Sequence, residues 1–312
     1  MRAYTFLAII AAALIFSGCP SQPAGGNNAA NEASPSPSAE TAKLEVTETP
    51  AKILDMMKAR GEQDEAKPVL TVEAPKEGEV INSSTVKIRI SIGGDLKGYK
   101  AGKDENGMGN HVHVILDNQP YAAYYMWDEP FELRNVTDGP HTLRMFPSRP
   151  WHQSYKNEGA FKMITFTVKD GKADETKPTT DDKGNTMAAP KAEEKKVEGV
   201  DVAASSAGDV DSSKPLLTYS RPKGTYSGED ADAIMIDFWL SNAKLTGDGG
   251  EYRVRYTING GEPRYIDKWG PVWLSGWPDG TSAVKLELVD KDGNLVKNGG
   301  YNVTTREIQV SR

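Results

Sequence analysis

All four histidines of this 312-residue chain fall in one short stretch, as His111, His113, His141 and His152. His111 and His113 stand two apart in HVHVIL, an alternating run that reads as a strand, so both rings leave the same face. Val112, Val114 and Leu116 take the opposite face and supply its core. Two imidazoles on one face are a chelating unit, and imidazole suits copper, zinc or nickel. His111 and His113 are therefore candidate metal ligands, with Cu or Zn as the ion. Met108, Met126 and Met145 would add soft donors for copper. Strand parity puts His141 on the core side of its own run, away from the pair. Because the pair faces outward, its replacement by serine is expected to change stability by about 0.5 kcal/mol at most.

His152 sits in FPSRPWHQS. A turn needs glycine or asparagine for its geometry, not Arg149, Trp151 and His152. These three are candidate ligand-binding residues. A third candidate surface lies near the C-terminus, where Trp269, Trp273 and Trp277 recur every four residues. Such rings can stack on sugars, which makes them candidate carbohydrate-stacking residues for a cell-wall glycan. No G-x-S-x-G elbow and no H-E-x-x-H motif is present, so the chain reads as a binding protein and not an enzyme.

The elements that must position these residues come in two copies. Residues 110–145 and 252–286 share one order of features: an alternating strand, a turn (Asp117-Asn118 and Asn259-Gly260), a Pro-apolar-x-Leu run (Pro130 to Leu133, Pro271 to Leu274) and an Asp-Gly pair before the next strand (Asp138-Gly139, Asp279-Gly280). Fixed-order self-similarity of this kind means two copies of one folding unit. Val86, Ile88, Ile90 and Ile92 alternate with Lys87, Arg89 and Ser91. Ile234, Ile236, Phe238 and Leu240 alternate with Met235, Asp237 and Trp239 in the same way. About seven short strands per copy predict an all-β fold of two tandem β-sandwiches, similar in architecture to immunoglobulin or fibronectin-III domains but without a Cys-Trp-Cys framework. In the second copy, Arg253 and Arg255 take the places of His111 and His113. A plain Asp290–Asn294 hairpin stands where the first copy has its Arg-Pro-Trp-His loop.

Cys19 is the single cysteine, so each sandwich must rely on its own apolar core. It follows Arg2 and an apolar run from Phe6 to Phe16, which is too short to span a bilayer. Ser17-Gly18-Cys19 resembles the lipobox of bacterial lipoproteins, with Phe16 where Leu is usual. The resemblance implies cleavage before Cys19, acylation of its sulfur and a lipid-anchored protein on the cell membrane or outer membrane, facing the periplasm or exterior.

The predicted plan is a signal peptide (1–18), a disordered Ala/Ser/Pro-rich tether (19–49), a short N-terminal helix (50–61), a first sandwich (68–169), a disordered mixed-charge linker (170–214) and a second sandwich (215–312). The polar linker predicts two independently folding copies. A formal charge of -7 without a basic cluster excludes nucleic acid as partner. It leaves the membrane, an envelope protein or a cell-wall glycan.

Overall fold

The computed structural model describes residues 43–105, 107–171 and 197–312. Cys19 and the apolar run before it lie outside the described residues, as do 172–196 of the linker. The described chain enters through β1 (Glu45–Thr47) and α1 (Ala51–Arg60). The first copy follows as β2 (Lys67–Ala74), β3 (Glu79–Ile81), β4 (Val86–Asp95), β5 (His111–Leu116), β6 (Ala122–Tyr124), β7 (Phe131–Arg134), β8 (Gly139–Ser148) and β9 (Lys162–Val168). Next come β10 (Gly199–Asp201) and then the second copy: β11 (Leu216–Arg221), β12 (Gly224–Ser227), β13 (Ala233–Ser241), β14 (Tyr252–Ile258), β15 (Arg264–Ile266), β16 (Val272–Ser275), β17 (Gly280–Asp290) and β18 (Val303–Ser311).

Each copy is a sandwich of a four-stranded and a five-stranded sheet. In the first they run β10-β7-β4-β2 and β3-β9-β8-β5-β6; in the second, β1-β16-β13-β11 and β12-β18-β17-β14-β15. Strand for strand the two orders correspond, which is the tandem sandwich architecture that the repeat predicts. Alternation builds both cores. Val86, Ile88, Val112, Val114, Leu143 and Phe166 close the first, and Ile234, Ile236, Phe238, Val254, Leu286 and Leu288 close the second.

Two local devices recur with the fold. Asp117 and Asn259 both take left-handed backbone (φ 50° and 51°) at the turn after the central strand. Each side chain then accepts a backbone N–H from the neighbouring strand, Thr142 at 2.9 Å and Ala283 at 2.7 Å. A Lys-Asn-x-Gly run, Lys156 to Gly159 and Lys297 to Gly300, recurs for a similar reason. Asn157 donates to the carbonyl of Pro68 in β2 (3.0 Å) and Asn298 to that of Pro215, the residue before β11 (3.2 Å), tying each long loop to the start of its copy.

Three expectations need correction. The end of the predicted tether is ordered, because β1 pairs antiparallel with β16. The end of the predicted linker is ordered too, because β10 pairs parallel with β7. A sheet edge offers unpaired N–H and C=O groups, and a polar segment can satisfy them without an apolar face of its own. The same edge is capped in both copies.

The third correction concerns independence. The outward face of β13 and the outward faces of β5 and β8 pack against each other. Trp239 stacks 5.8 Å from Phe146 and 5.4 Å from Phe161. Arg144, fully buried, donates to the Thr218 hydroxyl at 2.8 Å and to the Asp117 carbonyl at 2.5 Å. Asp237, also fully buried, accepts from the Ser154 N–H and hydroxyl at 3.1 and 2.7 Å and from Lys156 Nζ at 2.7 Å. Residues 42–312 form one compact unit, and the copies are joined through a buried, hydrogen-bonded seam.

Helix α1 lies within the expected 50–61, and Gly61 with φ 56° follows it. Ile53 is buried against Trp151, Met235 and Trp273 with Met57 beside it, whereas Leu54 is 51% exposed.

Candidate metal centre

Strand β5 carries His111 and His113 on the face away from its own core, as parity predicts. That face is not wet: both residues are 0% exposed, with Tyr125 and His152 against His111 and with Tyr121 and Ser220 of β11 against His113. This overturns the expectation that the pair can be exchanged at little cost in stability.

Register fixes what lies beside them, since β5 pairs with β8 so that His111 faces Ser148 and His113 faces Phe146. The chain leaves β8 and turns at Arg149-Pro150-Trp151-His152, where the His152 N–H donates to the Arg149 carbonyl at 2.8 Å. His152 has φ 68°, a left-handed conformation that a residue with a Cβ adopts at a cost of about 1–2 kcal/mol. That conformation returns its ring towards β5.

The three rings converge. His111 Nε2 lies 3.0 Å from His113 Nε2 and 2.9 Å from His152 Nδ1. One ligand atom from each of the three residues lies within 4.8 Å of the other two. The outer nitrogens are held by other groups. His111 Nδ1 is 2.8 Å from the Gly109 carbonyl, which can only accept, so the proton belongs on Nδ1 and Nε2 keeps its lone pair. His113 Nδ1 is 3.1 Å from the Ser220 hydroxyl of β11. Tyr121 stacks on the His113 ring at 3.6 Å and 6° and fixes its plane. Metal-ligating histidines are commonly oriented by a hydrogen bond at the far ring nitrogen. Tetrahedral nitrogens bound at 2.0–2.1 Å stand about 3.3 Å apart, so a zinc or copper ion would be reached by small ring adjustments.

The electrostatics favour neutral imidazole, the form that binds metal. Burial pulls His111 down to about 4, opposed by its hydrogen bond to Gly109 and helped by the positive Arg221, Lys103 and Lys223. Burial holds His113 and His152 well below the usual histidine range, with neighbouring imidazoles, Arg221 and Lys223 pushing the same way. A cavity of 740 Å³ reaches His152 and is also lined by Met108, Tyr125, Trp151, Arg221 and Lys223.

Of the predicted loop residues, His152 joins the histidine pair, and the other two position it. Arg149 donates to the Asp64 carbonyl (2.8 Å), the Asp64 carboxylate (3.3 Å) and the Ser154 carbonyl (3.3 Å), with its guanidinium 3.9 Å from the Tyr155 ring. It is committed to holding the loop. Trp151 is buried against Ile53 and Met235 and donates to Gln153 at 2.8 Å, with one edge on the cavity.

The tryptophans of the second copy do not form a sugar platform. Trp277 is 1% exposed and donates to the Leu274 carbonyl; Trp273 is 8% exposed, in the cluster with Trp151. Trp269 is half-buried and stands edge-on to Trp239 at the seam. Their spacing reflects core and interface packing. Among the methionines, Met145 is buried in the first core and Met126 is 47% exposed, while Met108 lines the cavity with His152. His141 is apart from the cluster, bonded to Asp117 at 2.9 Å and the Thr137 carbonyl at 2.7 Å.

Gly109, Ser220, Arg221 and Lys223 were missed by sequence reasoning. Ser220 and the two cations lie more than 65 residues beyond His152 in the chain. Only the docking of the two copies brings them to the rings.

No family model matches the chain, and no curated protein matches it. It is similar to fibronectin(III)-like modules of Clostridium thermocellum CbhA, at 12% identity over 78% of this chain and 94% of that one, with a TM-score of 0.24. It is similar to a two-domain fibronectin type-III segment of chicken tenascin at 12% identity, over 78% and 98%, TM-score 0.20. Bacteroides ovatus SGBP-B, solved with a mixed-linkage heptasaccharide, is 11% identical over 78% and 70%, TM-score 0.20. The strand order, not these distant likenesses, carries the fold assignment.

Proposed function

We propose that this chain is a non-enzymatic metal-binding protein of the cell envelope that holds one copper or zinc ion on His111, His113 and His152. The observation that carries the reading is the convergence of three ring nitrogens from two separate segments, at 3.0 and 2.9 Å, with His111 and His113 fully buried and His152 partly so. The single lone pair on His111 Nε2 faces two ring nitrogens at once, so hydrogen bonds from His113 and His152 would compete for one acceptor. A metal accepts all three at once. The left-handed backbone at His152 supports the same reading, because local strain is retained where the surrounding structure needs the side chain's position. The cluster holds imidazoles only, a donor set that suits copper or zinc.

Envelope placement is part of the proposal and comes from the lipobox-like Ser17-Gly18-Cys19. No helix among the described residues is long and apolar enough to cross a membrane. A diacylated Cys19 would supply a stable anchor on its own.

Full-length protein, purified in detergent and stripped with a chelator, should bind one equivalent of Cu²⁺ or Zn²⁺ in a competitive titration. The His111→Ala and His152→Asn variants should each weaken that binding at least tenfold. Absence of binding by the intact protein, or unchanged binding in a variant lacking all three histidines, would overturn the reading.

A further inference from the structure

Two cations stand beside the histidine cluster without a carboxylate. Arg221 ends β11 and is half-buried. Its Nη1 donates to the Tyr121 hydroxyl at 2.9 Å and to the Lys223 carbonyl at 3.1 Å, and its guanidinium lies 5.2 Å from the Tyr226 ring. Lys223 donates from Nζ to the Tyr121 carbonyl at 2.7 Å and sits 4.3 Å from the Tyr121 ring. Both line the cavity that reaches His152. Among the described residues, neither has a carboxylate within 4.0 Å, in contrast with Arg253 on Asp267 and Arg255 on Glu287 in the second copy. The acidic groups on the same cavity wall, Glu229, Asp230 and Asp232, are exposed; Asp230 pairs at 2.9 Å with Lys52, which lines the cavity too, and Asp232 with Arg312 at 4.0 Å.

Charges withdrawn from water are ordinarily paired. Here two cations with neutral partners flank three neutral imidazoles, and a bound divalent metal would add two more positive charges. Three protein ligands also leave a coordination position open, as in metal sites that accept an exogenous ligand. Arg221, Lys223 and that open position therefore share one requirement, which is negative charge.

We infer that the metal in this site binds a small exogenous anion, of the carboxylate or phosphate type, held jointly by the metal's open position and by Arg221 and Lys223. The inference rests on the metal reading above. Arg221 suits such a ligand because its planar guanidinium forks onto an oxyanion, and Lys223 adds a point charge. Tyr121 links the parts, since its hydroxyl holds Arg221, its carbonyl holds Lys223 and its ring lies on His113.

The test uses full-length protein loaded with Cu²⁺, titrated with azide as a spectroscopic probe and then with acetate and phosphate as competitors. Metal affinity is measured first on the same samples. The intact protein should show one saturable azide-dependent charge-transfer band, displaced by acetate or phosphate. Lys223→Gln and Arg221→Gln should each weaken anion binding about tenfold, while metal affinity stays equal or rises as a repelling charge is removed. Arg221→Lys should restore part of the loss. Should Arg221→Gln fold poorly, Lys223→Gln carries the test alone, because its side chain is at the cavity wall. Metal binding without any azide response, or anion affinities unchanged in both glutamine variants, overturns this inference and leaves the metal reading standing. Failure to bind metal at all overturns both.

Discussion

Lowering the pH should unfold the metal-free protein in a way that depends on the histidine cluster. In the folded protein, burial pulls His111 from an ordinary 6.5 to about 4. In the unfolded chain it titrates at its ordinary value. Below pH 6.5 the unfolded chain therefore binds a proton that the folded chain refuses, and stability falls with pH. The loss begins near pH 6.5 and is complete below about 4. A full shift of this size corresponds to about 3 kcal/mol, and about 2 kcal/mol of it is already lost at pH 5. His113 and His152 are shifted the same way and add to the loss. His141 moves upwards, because its bonds to Asp117 and Thr137 outweigh burial. Its contribution is present below pH 6.5, is lost as pH rises through its folded value, and so opposes the others. A comparison with the triple variant His111→Gln, His113→Gln, His152→Asn removes His141 and the carboxylates from the difference. Chemical denaturation of both proteins, with chelator present, should give a wild-type stability that falls at least about 2 kcal/mol more than the variant's between pH 7 and 5. In thermal melts this is about 4–8 °C for a chain of this size. Parallel slopes for the two proteins would refute the claim that these rings are buried and neutral. Saturating metal should raise stability at pH 7 and lose that effect on acidification, because protons and metal compete for the same nitrogens.

Three further outcomes follow from named contacts. His152→Asn should leave apo stability within about 1 kcal/mol of wild type, since asparagine tolerates left-handed backbone, while metal affinity collapses; a large loss of apo stability would make His152 a packing residue only. Asp237→Ala leaves Lys156 buried without its ion partner and should cost about 3–5 kcal/mol, with both sandwiches melting in one transition; two separate transitions in the wild-type protein would refute the joined seam. Cys19→Ala should move the protein from the detergent to the aqueous phase, and a native N-terminus carrying an unmodified thiol on Cys19 would rule out the anchor.

The fold was legible because its signals are local. Period-two alternation identified β4, β5 and β13 with the correct faces, and the duplicated order of turns identified the repeat. Both turn residues, Asp117 and Asn259, do the same job in the structure. The ordered ends of the tether and linker were not legible. Residues 45–47 and 199–201 gain their structure from sheet edges far away in the chain, so nothing in their own composition announces it. The tryptophan series misled for a related reason: a four-residue spacing says nothing about whether the rings face water or the seam.

The metal candidate depends on a similar distinction. Parity tells which face of a strand a side chain leaves from, but not whether that face is wet. Trp239, placed outward by the alternation of β13, was a signal that its face is covered, because a large exposed aromatic beside Met235 would be an apolar patch. The two copies show what covering does. Arg253 and Arg255, in the histidine positions of the second copy, remain near solvent and pair with Asp267 and Glu287. Arginine at these fully buried places of the first copy would be sealed from water without such partners, whereas neutral imidazole can be buried with its nitrogens bonded. Burial alone therefore explains why arginine is absent from positions 111 and 113. It does not explain why Arg149 and Trp151 should hold a loop whose next residue, His152, adopts left-handed backbone and points a third nitrogen at the same place. That third ring distinguishes two tolerated histidines from a ligand set.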